Sequence, residues 1–159
     1  MSLEYSFILD TNVLVSALLS KNGKARQALD KAQNIGKLLM SESTLLELIT
    51  VFNRPKFDRY ASSAKRRLFI TAIERTEEIV VIREKIKVCR DEKDNQYLEL
   101  AIDGQATCIV SGDSDLLVLN PFREIPILTI QEFLDHDFSR QRSVPPPTSQ
   151  REHLIYASE

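Results

Sequence analysis

Short apolar segments alternate with longer amphipathic ones along most of the 159-residue chain. Five short apolar or β-branched segments bounded by polar residues are predicted strands: residues 5–9, 38–40, 78–82, 107–113 and 127–129. Apolar positions at helical spacing predict helices between them, over 13–19, 24–35, within 41–55, over 64–75, 93–103, 116–119 and 130–136. Because strands and helices alternate, the pattern predicts an α/β fold of three layers, a small parallel sheet flanked by helices on both faces.

Size and composition predict one ordinary globular domain. The chain is 43% hydrophobic and 28% charged, with a net charge of −2, so it has no overall attraction for nucleic acid or for an anionic membrane. We place the domain at residues 1–138 and predict that residues 139–159, a polar stretch with three consecutive prolines, form a flexible tail. Cys89 and Cys108 lack metal-site spacing. No apolar run approaches the ~20 residues of a membrane span, which favours a cytoplasmic protein without membrane contact.

Carboxylates stand where predicted strands end. Asp10 follows the first strand, Asp113 and Asp115 follow the strand that contains Ile109, and Asp94 begins a helix on its inward-facing side. Each has a structural explanation as a turn former or helix cap. The carboxyl ends of parallel strands meet at one edge of the sheet, where ligands of α/β proteins bind, so we expect these acids to lie together.

Such a cluster requires a cation. Two carboxylates about 4 Å apart repel by roughly 4 kcal/mol at an effective dielectric of 20. Hard divalent ions bound by oxygen ligands remove this repulsion, and Mg²⁺ or Mn²⁺ best suits carboxylates and water. The sequence therefore predicts a metal site at the carboxyl edge of the sheet.

Other catalytic chemistries lack their residues. The two histidines, His136 and His153, are too remote for a histidine-based centre, and neither a G-x-S-x-G elbow nor a P-loop is present. A haloacid-dehalogenase-type phosphatase, a weaker alternative, requires a second acid two residues after Asp10, where this chain has Asn12. A phosphoacceptor receiver domain requires an upstream acidic pair, and Glu4 is the only acid before Asp10.

Four segments, in this order and spacing, resemble the PIN domain family: FILDTNVLVSAL, ESTLLELITVFNRPKF, CRDEKDNQYLELA and IVSGDSDLLVL. The resemblance spans about residues 5–135 and is greatest to VapC-like toxins of prokaryotic toxin–antitoxin pairs. It implies a PIN-like fold and a ribonuclease that uses Mg²⁺ or Mn²⁺, with RNA as substrate, an antitoxin as a partner and a homodimer as the assembly.

The resemblance also implies roles for individual residues. The catalytic and metal-binding acids would be Asp10, Glu47, Asp94 and Asp113, with Asp115 as an additional metal-binding acid. Asp10, Asp94 and Asp113 would hold a first ion, and Glu47 would hold a second ion or orient the attacking water. For Glu47 the resemblance opposes the helix pattern, which places this side chain in solvent. The supporting residues would be Thr11, Asn12, Asp91 and Ser111.

A basic stretch between residues 54 and 67 is the predicted RNA-binding surface. Its cations are Arg54, Lys56, Arg59, Lys65, Arg66 and Arg67. Phe57 and Tyr60 lie between them as candidate stacking faces. The alternative interpretation of the stretch is an ordinary solvated surface. The alternative for the whole chain is a PIN-like interaction module without nuclease activity, in which the tail residues Leu154, Ile155 and Tyr156 serve a partner.

Overall fold

A computed structural model describes residues 5–75 and 77–139 of the chain. The strands are β1 (Tyr5–Leu9), β2 (Gly36–Met40), β3 (Glu77–Ile79), β4 (Cys108–Val110) and β5 (Ile127–Leu128). The helices are α1 (Thr11–Leu19), α2 (Lys24–Ile35), α3 (Glu42–Phe52), α4 (Ser63–Glu74), α5 (Asn95–Gly104), α6 (Ser114–Leu117) and α7 (Ile130–Asp135). Two 3₁₀ turns, Pro55–Phe57 and Glu92–Asp94, precede α4 and α5. The predicted tail, apart from Ser139, lies outside the described residues.

The five strands form one parallel sheet in the order β3-β2-β1-β4-β5. Successive residues of β1 point to opposite faces: Phe7 and Leu9 pack into one apolar core, and Ile8 packs into the other. Helices α1, α2, α3, α4 and α7 contribute to the first core, and α5 and α6 contribute to the second. The predicted three-layer α/β architecture is therefore confirmed.

Gly36 joins α2 directly to β2. The sequence predicts it as the end of the helix, and it does follow the last helical residue, but its backbone is extended and already belongs to the strand. A Cβ atom at this position would lie 2.6 Å from the carbonyl oxygen of Tyr5 on β1. Glycine is required here because the neighbouring strand passes too close for a side chain.

Strand β3 ends earlier than the pattern predicts. The sequence favours a strand over residues 78–82, whereas β3 covers Glu77–Ile79 and pairs only with residues 38–40 of β2. After Val80, whose N–H donates to Met40, the chain leaves the sheet and crosses α5. An apolar, β-branched run indicates extended backbone, but it does not specify whether a neighbouring strand continues beside it.

The strand order brings three connections to the carboxyl edge of the sheet. Asp10 follows β1, Ser41 follows β2 and Ser111 follows β4, and these strands are direct neighbours. Side chains from α1, α3 and the β4–α6 turn can therefore meet above the sheet. None of the helices in the described ranges combines the length and apolar character that crossing a membrane requires.

Candidate active site

Asp10 and Ser111 link the ends of the two central strands. Asp10 caps α1 by accepting a hydrogen bond from the Val13 N–H at 2.9 Å, and its other carboxylate oxygen accepts a hydrogen bond from the Ser111 hydroxyl. The Ser111 hydroxyl in turn accepts from the Asp113 N–H at 3.0 Å. Burial raises the pKa of Asp10. The hydrogen bonds from Ser111 and Val13 lower this pKa, and the charges of Asp113 and Glu47 raise it. Asp10 is thus both a helix cap and a member of one electrostatic cluster.

Three further carboxylates converge beside it. Asp94, Asp113 and Asp115 each present an oxygen within 4.8 Å of the others. Asp94 comes from the turn before α5, and Asp113 caps α6 by accepting from the Asp115 N–H at 2.9 Å. The sequence prediction grouped Asp94 with Asp10 and Asp113 as ligands of a first ion. In the structure the tightest group contains Asp115 instead of Asp10.

The negative charge of Asp94 is poorly stabilised by its surroundings. It is 8% exposed, and within the described part of the chain its Oδ2 atom is buried and accepts no hydrogen bond. Burial raises the pKa of Asp94, and the neighbouring Asp113 carboxylate raises it further. A carboxylate with one buried, unpartnered oxygen and two more carboxylates within 4.8 Å fits a hard divalent cation, because a cation bound there would satisfy the oxygen and relieve the repulsion.

Glu47 faces the site, not the solvent. It is half-buried in the second turn of α3 and accepts hydrogen bonds from the Thr11 hydroxyl at 2.7 Å and the Tyr97 hydroxyl at 2.5 Å. The helix pattern, which placed Glu47 in solvent, is wrong. Helix α3 packs against α1 at the carboxyl edge of the sheet, so the polar face of α3 that carries Glu47 also contacts protein. The role implied by the resemblance stays a prediction, but the side chain lies where that role requires it.

Tyr97 lies beside Glu47 and was not among the site residues predicted from the sequence. Its hydroxyl also contacts the Thr11 hydroxyl at 2.8 Å and accepts from the Thr11 N–H at 3.1 Å. Burial and the adjacent Glu47 raise its pKa, so the hydroxyl keeps its proton and remains a donor. The available signal was its position three residues after Asp94, on the same inward-facing side of the helix.

A strap, defined here as residues 83–89, crosses α5 and leads to the site. Three α5 side chains at four-residue intervals, Asn95, Glu99 and Asp103, accept its backbone N–H groups. Hydrogen bonds from Arg83 and Glu84 lower the pKa of Asp103. At the end of the strap Arg90 forms a bidentate ion pair with Asp115, with Nε–Oδ1 at 2.9 Å and Nη2–Oδ2 at 3.1 Å.

The two remaining supporting positions are peripheral. Asp91 is exposed and caps the 3₁₀ turn before α5 by accepting from the Lys93 N–H at 3.1 Å. This contact is compatible with the supporting role that the resemblance implies, since it fixes the turn that carries Asp94, and that role stays a prediction. Asn12 lies exposed in the first turn of α1, and its supporting role stays a prediction.

Arg66 departs from the predicted basic surface. It is 6% exposed, and its guanidinium donates to the carbonyl oxygen of Phe52 at 2.7 Å and to Asp58 at 2.6 Å. The prediction that Arg66 contacts RNA does not fit this position, because its donors fasten α4 to the end of α3. The other five cations are exposed: Arg54, Lys56, Arg59, Lys65 and Arg67. Residues 55–60 line an open depression of about 590 Å³ among them.

We expect Arg66→Ala to destabilise the fold by about 2–3 kcal/mol, because it leaves the buried carbonyl of Phe52 without its donor. The neighbouring Arg67→Ala should change the free energy of unfolding by less than about 0.5 kcal/mol, since Arg67 is exposed. Urea unfolding of both variants beside wild type measures the difference. Equal stabilities would contradict the structural assignment of Arg66.

The comparisons with known proteins agree with this architecture. A family model described as the PIN domain matches residues 6–115. The uncharacterized protein MJ1680 of Methanocaldococcus jannaschii is 34% identical over 118 residues, which are 70% of this chain and 73% of the relative.

Two solved structures share the fold. VapBC2 from Rickettsia felis, bound to a DNA fragment from its promoter, superimposes with a TM-score of 0.55 at 13% identity, covering 78% of this chain and 98% of that one. PAE2754 from Pyrobaculum aerophilum does so with a TM-score of 0.56 at 13% identity, covering 82% and 87%. With the family model spanning most of the described chain and the carboxylates gathered at the sheet edge, the chain belongs to the PIN domain family.

Proposed function

We propose that this protein is a ribonuclease that depends on Mg²⁺ or Mn²⁺ and hydrolyses RNA phosphodiester bonds at the carboxyl edge of its sheet. The observation that carries the proposal is the Asp94 carboxylate: one of its oxygens is buried and accepts no hydrogen bond in the described part of the chain, and the group lies within 4.8 Å of carboxylate oxygens of Asp113 and Asp115. Membership of the PIN domain family supports nuclease chemistry at this cluster. The choice of RNA rests on the family resemblance.

The residues divide into two groups in this proposal. Asp94, Asp113 and Asp115 would hold a divalent ion, and Asp10 stands next to them as the helix-capping acid. The chemistry that such an ion supplies is activation of a water molecule and neutralisation of charge on the phosphate. Glu47, fixed by the Thr11 and Tyr97 hydroxyls, would orient the attacking water or accept its proton.

The exposed cations beyond α3 would bind the RNA backbone. Helix α3 begins at the carboxyl edge of the sheet and ends at Phe52, shortly before Arg54 and the depression at residues 55–60. Lys56 and Arg59 lie beside the Phe57 and Tyr60 rings, at 5.1 and 5.9 Å from the ring centroids. Such a surface suits phosphate contacts with base stacking.

We also propose that the protein acts as the toxin of a toxin–antitoxin pair, inhibited by an antitoxin protein and assembled as a homodimer. The shared fold with VapBC2 of Rickettsia felis and the family resemblance support this part of the proposal. Co-expression with the product of a short neighbouring reading frame tests it: growth arrest on expression of this chain alone, relieved by the neighbour, is the expected result. The proposal places the protein in the cytoplasm.

The nuclease proposal is tested by cleavage of a mixed-sequence RNA pool in Mg²⁺, Mn²⁺ or EDTA. Asp113→Asn, purified identically, controls for contaminating ribonuclease because it keeps the shape of the side chain and removes its charge. We expect cleavage by wild type in either metal and none in EDTA or with the variant. A homodimer is checked separately by light scattering.

Equal cleavage by wild type and Asp113→Asn would contradict the assigned site. If neither protein cleaves the pool although wild type binds Mn²⁺, the interaction-module alternative gains support. A haloacid-dehalogenase-type activity would instead appear as release of phosphate from a phosphomonoester, which we do not expect because Asn12 replaces the second acid that this chemistry requires.

A further inference from the structure

Arg90 is a highly exposed cation bound to Asp115, one carboxylate of the acidic cluster. Its side chain is 85% exposed, whereas that of its partner Asp115 is 18% exposed. The planar guanidinium uses both oxygens of Asp115, at 2.9 and 3.1 Å. One oxygen of the same carboxylate lies within 4.8 Å of oxygens of Asp94 and Asp113. Asp115 is therefore shared between an arginine on the outside and the candidate metal site on the inside.

The backbone on which Arg90 stands is held in place. Asn95, the first residue of α5, accepts hydrogen bonds from the Val88 and Cys89 N–H groups at 3.1 and 2.9 Å. The residue directly after these donors is Arg90, and Asp94 lies directly before Asn95. The strap end and the metal-site carboxylate are thus fixed to the same helix terminus. The Arg90 side chain itself is 85% exposed, so it has room to change its partner while this backbone stays in place.

Arginine and a divalent ion would compete for Asp115. Without a metal, the guanidinium is the cation that neutralises this carboxylate. A divalent ion bound by Asp94, Asp113 and Asp115 draws on the same oxygens and repels the adjacent positive charge. The planar fork of arginine matches a phosphate as well as it matches a carboxylate. A guanidinium released beside the ion would therefore stand where a substrate phosphodiester has to bind.

We infer that Arg90 exchanges partners when the divalent ion binds, leaving Asp115 and becoming a ligand for the phosphate of the RNA substrate. This inference rests on the proposed function, because it requires the ion and the phosphodiester. It makes Arg90 a substrate-binding residue whose contribution exists only in the metal-loaded protein. RNA binding is thereby coupled to metal binding without any movement of the backbone.

The first measurement is Mn²⁺ binding to the full chain by electron paramagnetic resonance, with wild type, Arg90→Ala and Arg90→Lys. Removing the competitor should tighten Mn²⁺ binding about two- to fivefold in Arg90→Ala. Arg90→Lys keeps the charge but loses the bidentate geometry, so it should fall between the two. Unchanged or weaker Mn²⁺ binding in Arg90→Ala would overturn the inference, since the arginine would then be inert or would hold Asp115 in place as a ligand.

The second measurement is binding of a phosphorothioate oligoribonucleotide, which resists hydrolysis. In saturating Mn²⁺ we expect Arg90→Ala to bind it about threefold or more weakly and to lose about one unit of the slope of log affinity against log salt. In EDTA the Arg90 side chain of wild type stays paired with Asp115 and does not contact the oligonucleotide. The variant should therefore bind the oligonucleotide as wild type does. An equal loss of affinity with and without Mn²⁺ would overturn the exchange of partners.

Lys37→Ala is the matched control. Lys37 is also an exposed cation paired with a carboxylate, Glu78 at 3.3 Å, but it lies near the amino end of β2, opposite the site. It should alter neither measurement. If wild type itself fails to bind Mn²⁺, the proposed function fails and the inference with it. If wild type binds Mn²⁺ and Arg90→Ala behaves like Lys37→Ala, only the inference fails.

Discussion

Replacing Asp94 by Asn should weaken divalent-metal binding by more than about 100-fold and, at the same time, stabilise the metal-free protein. The loss of binding is expected because Asp94 is the buried carboxylate of the proposed metal-binding group and lies within 4.8 Å of the other two. The gain in stability is expected because the substitution removes a charge that is buried without a hydrogen-bond donor. We expect a gain of about 1–3 kcal/mol in the free energy of unfolding, measured in EDTA.

The gain in stability of Asp94→Asn over wild type should increase with pH. The pKa of Asp94 in the folded chain is raised by burial and by Asp113 above its unfolded value of about 3.9. A carboxyl whose folded pKa is raised is costly only where it is ionised, so its cost is absent below the unfolded pKa and complete above the folded one. Asp94→Asn should therefore be most stabilising near pH 9, and the difference from wild type should vanish toward pH 3.

Glu92→Gln is the control, since Glu92 lies exposed in the same 3₁₀ turn and should change neither metal binding nor stability. Mn²⁺ titrations and urea unfolding in EDTA at several pH values give both quantities. Added Mn²⁺ should raise the stability of wild type and of Glu92→Gln but not that of Asp94→Asn. A variant that loses stability at pH 9 would show that the Asp94 carboxylate supports the fold and is not held there for a metal.

The sequence predicts the layers because its periodicities are unambiguous. Apolar residues in β1 are buried on both faces of the sheet. Helix α2 spans the predicted residues, 24–35, because its apolar residues recur at helical spacing up to Gly36. The reason for that glycine, the close approach of β1, is visible only in the structure. A parallel sheet also places Asp10 and Asp113 at one edge, since all of its strands share a carboxyl edge. Periodicity therefore suffices to predict the layers and the shared edge, whereas the order that makes β1 and β4 neighbours is known only from the structure.

The strap could not be predicted in the same way. The strand predicted just before it, at residues 78–82, says nothing of residues 83–89, and the N–H groups of the strap are satisfied by three side chains of α5 that lie later in the chain. No local pattern encodes that pairing, because it depends on where the strap crosses the helix. The ion pair of Arg90 with Asp115 depends on the strap and was missed for the same reason.

Arg66 and Glu47 also show that burial cannot be predicted from the sequence of one element alone. A charged residue among other charged residues is usually solvated, yet Arg66 is buried because the carbonyl at the end of α3 and Asp58 require its donors. Glu47 lies on the polar side of its helix and still contacts protein, because Thr11 and Tyr97 approach it from α1 and α5. Composition and helical phase describe a single element, whereas burial depends on its neighbours.

Tyr97→Phe is expected to lower the rate of RNA cleavage about 10–100-fold while leaving Mn²⁺ affinity within about threefold of wild type. The substitution removes one hydroxyl. Glu47 then loses its donor at 2.5 Å and, of its donors among the described residues, keeps the Thr11 hydroxyl; the Thr11 N–H loses its acceptor. The proposed metal-binding group of Asp94, Asp113 and Asp115 does not include this hydroxyl, so the rate and the metal affinity should separate.

Tyr5→Phe is the matched control for this prediction. The Tyr5 hydroxyl also makes a long-range hydrogen bond, to the carbonyl oxygen of Phe138 at 2.6 Å, but it lies at the amino end of β1. Both variants should lose about 1 kcal/mol of stability, and only Tyr97→Phe should lose cleavage. If both variants cleave equally well, Tyr97 is a packing residue. If Tyr97→Phe loses Mn²⁺ affinity in proportion to its rate, the hydroxyl supports the metal cluster and does not act by orienting Glu47.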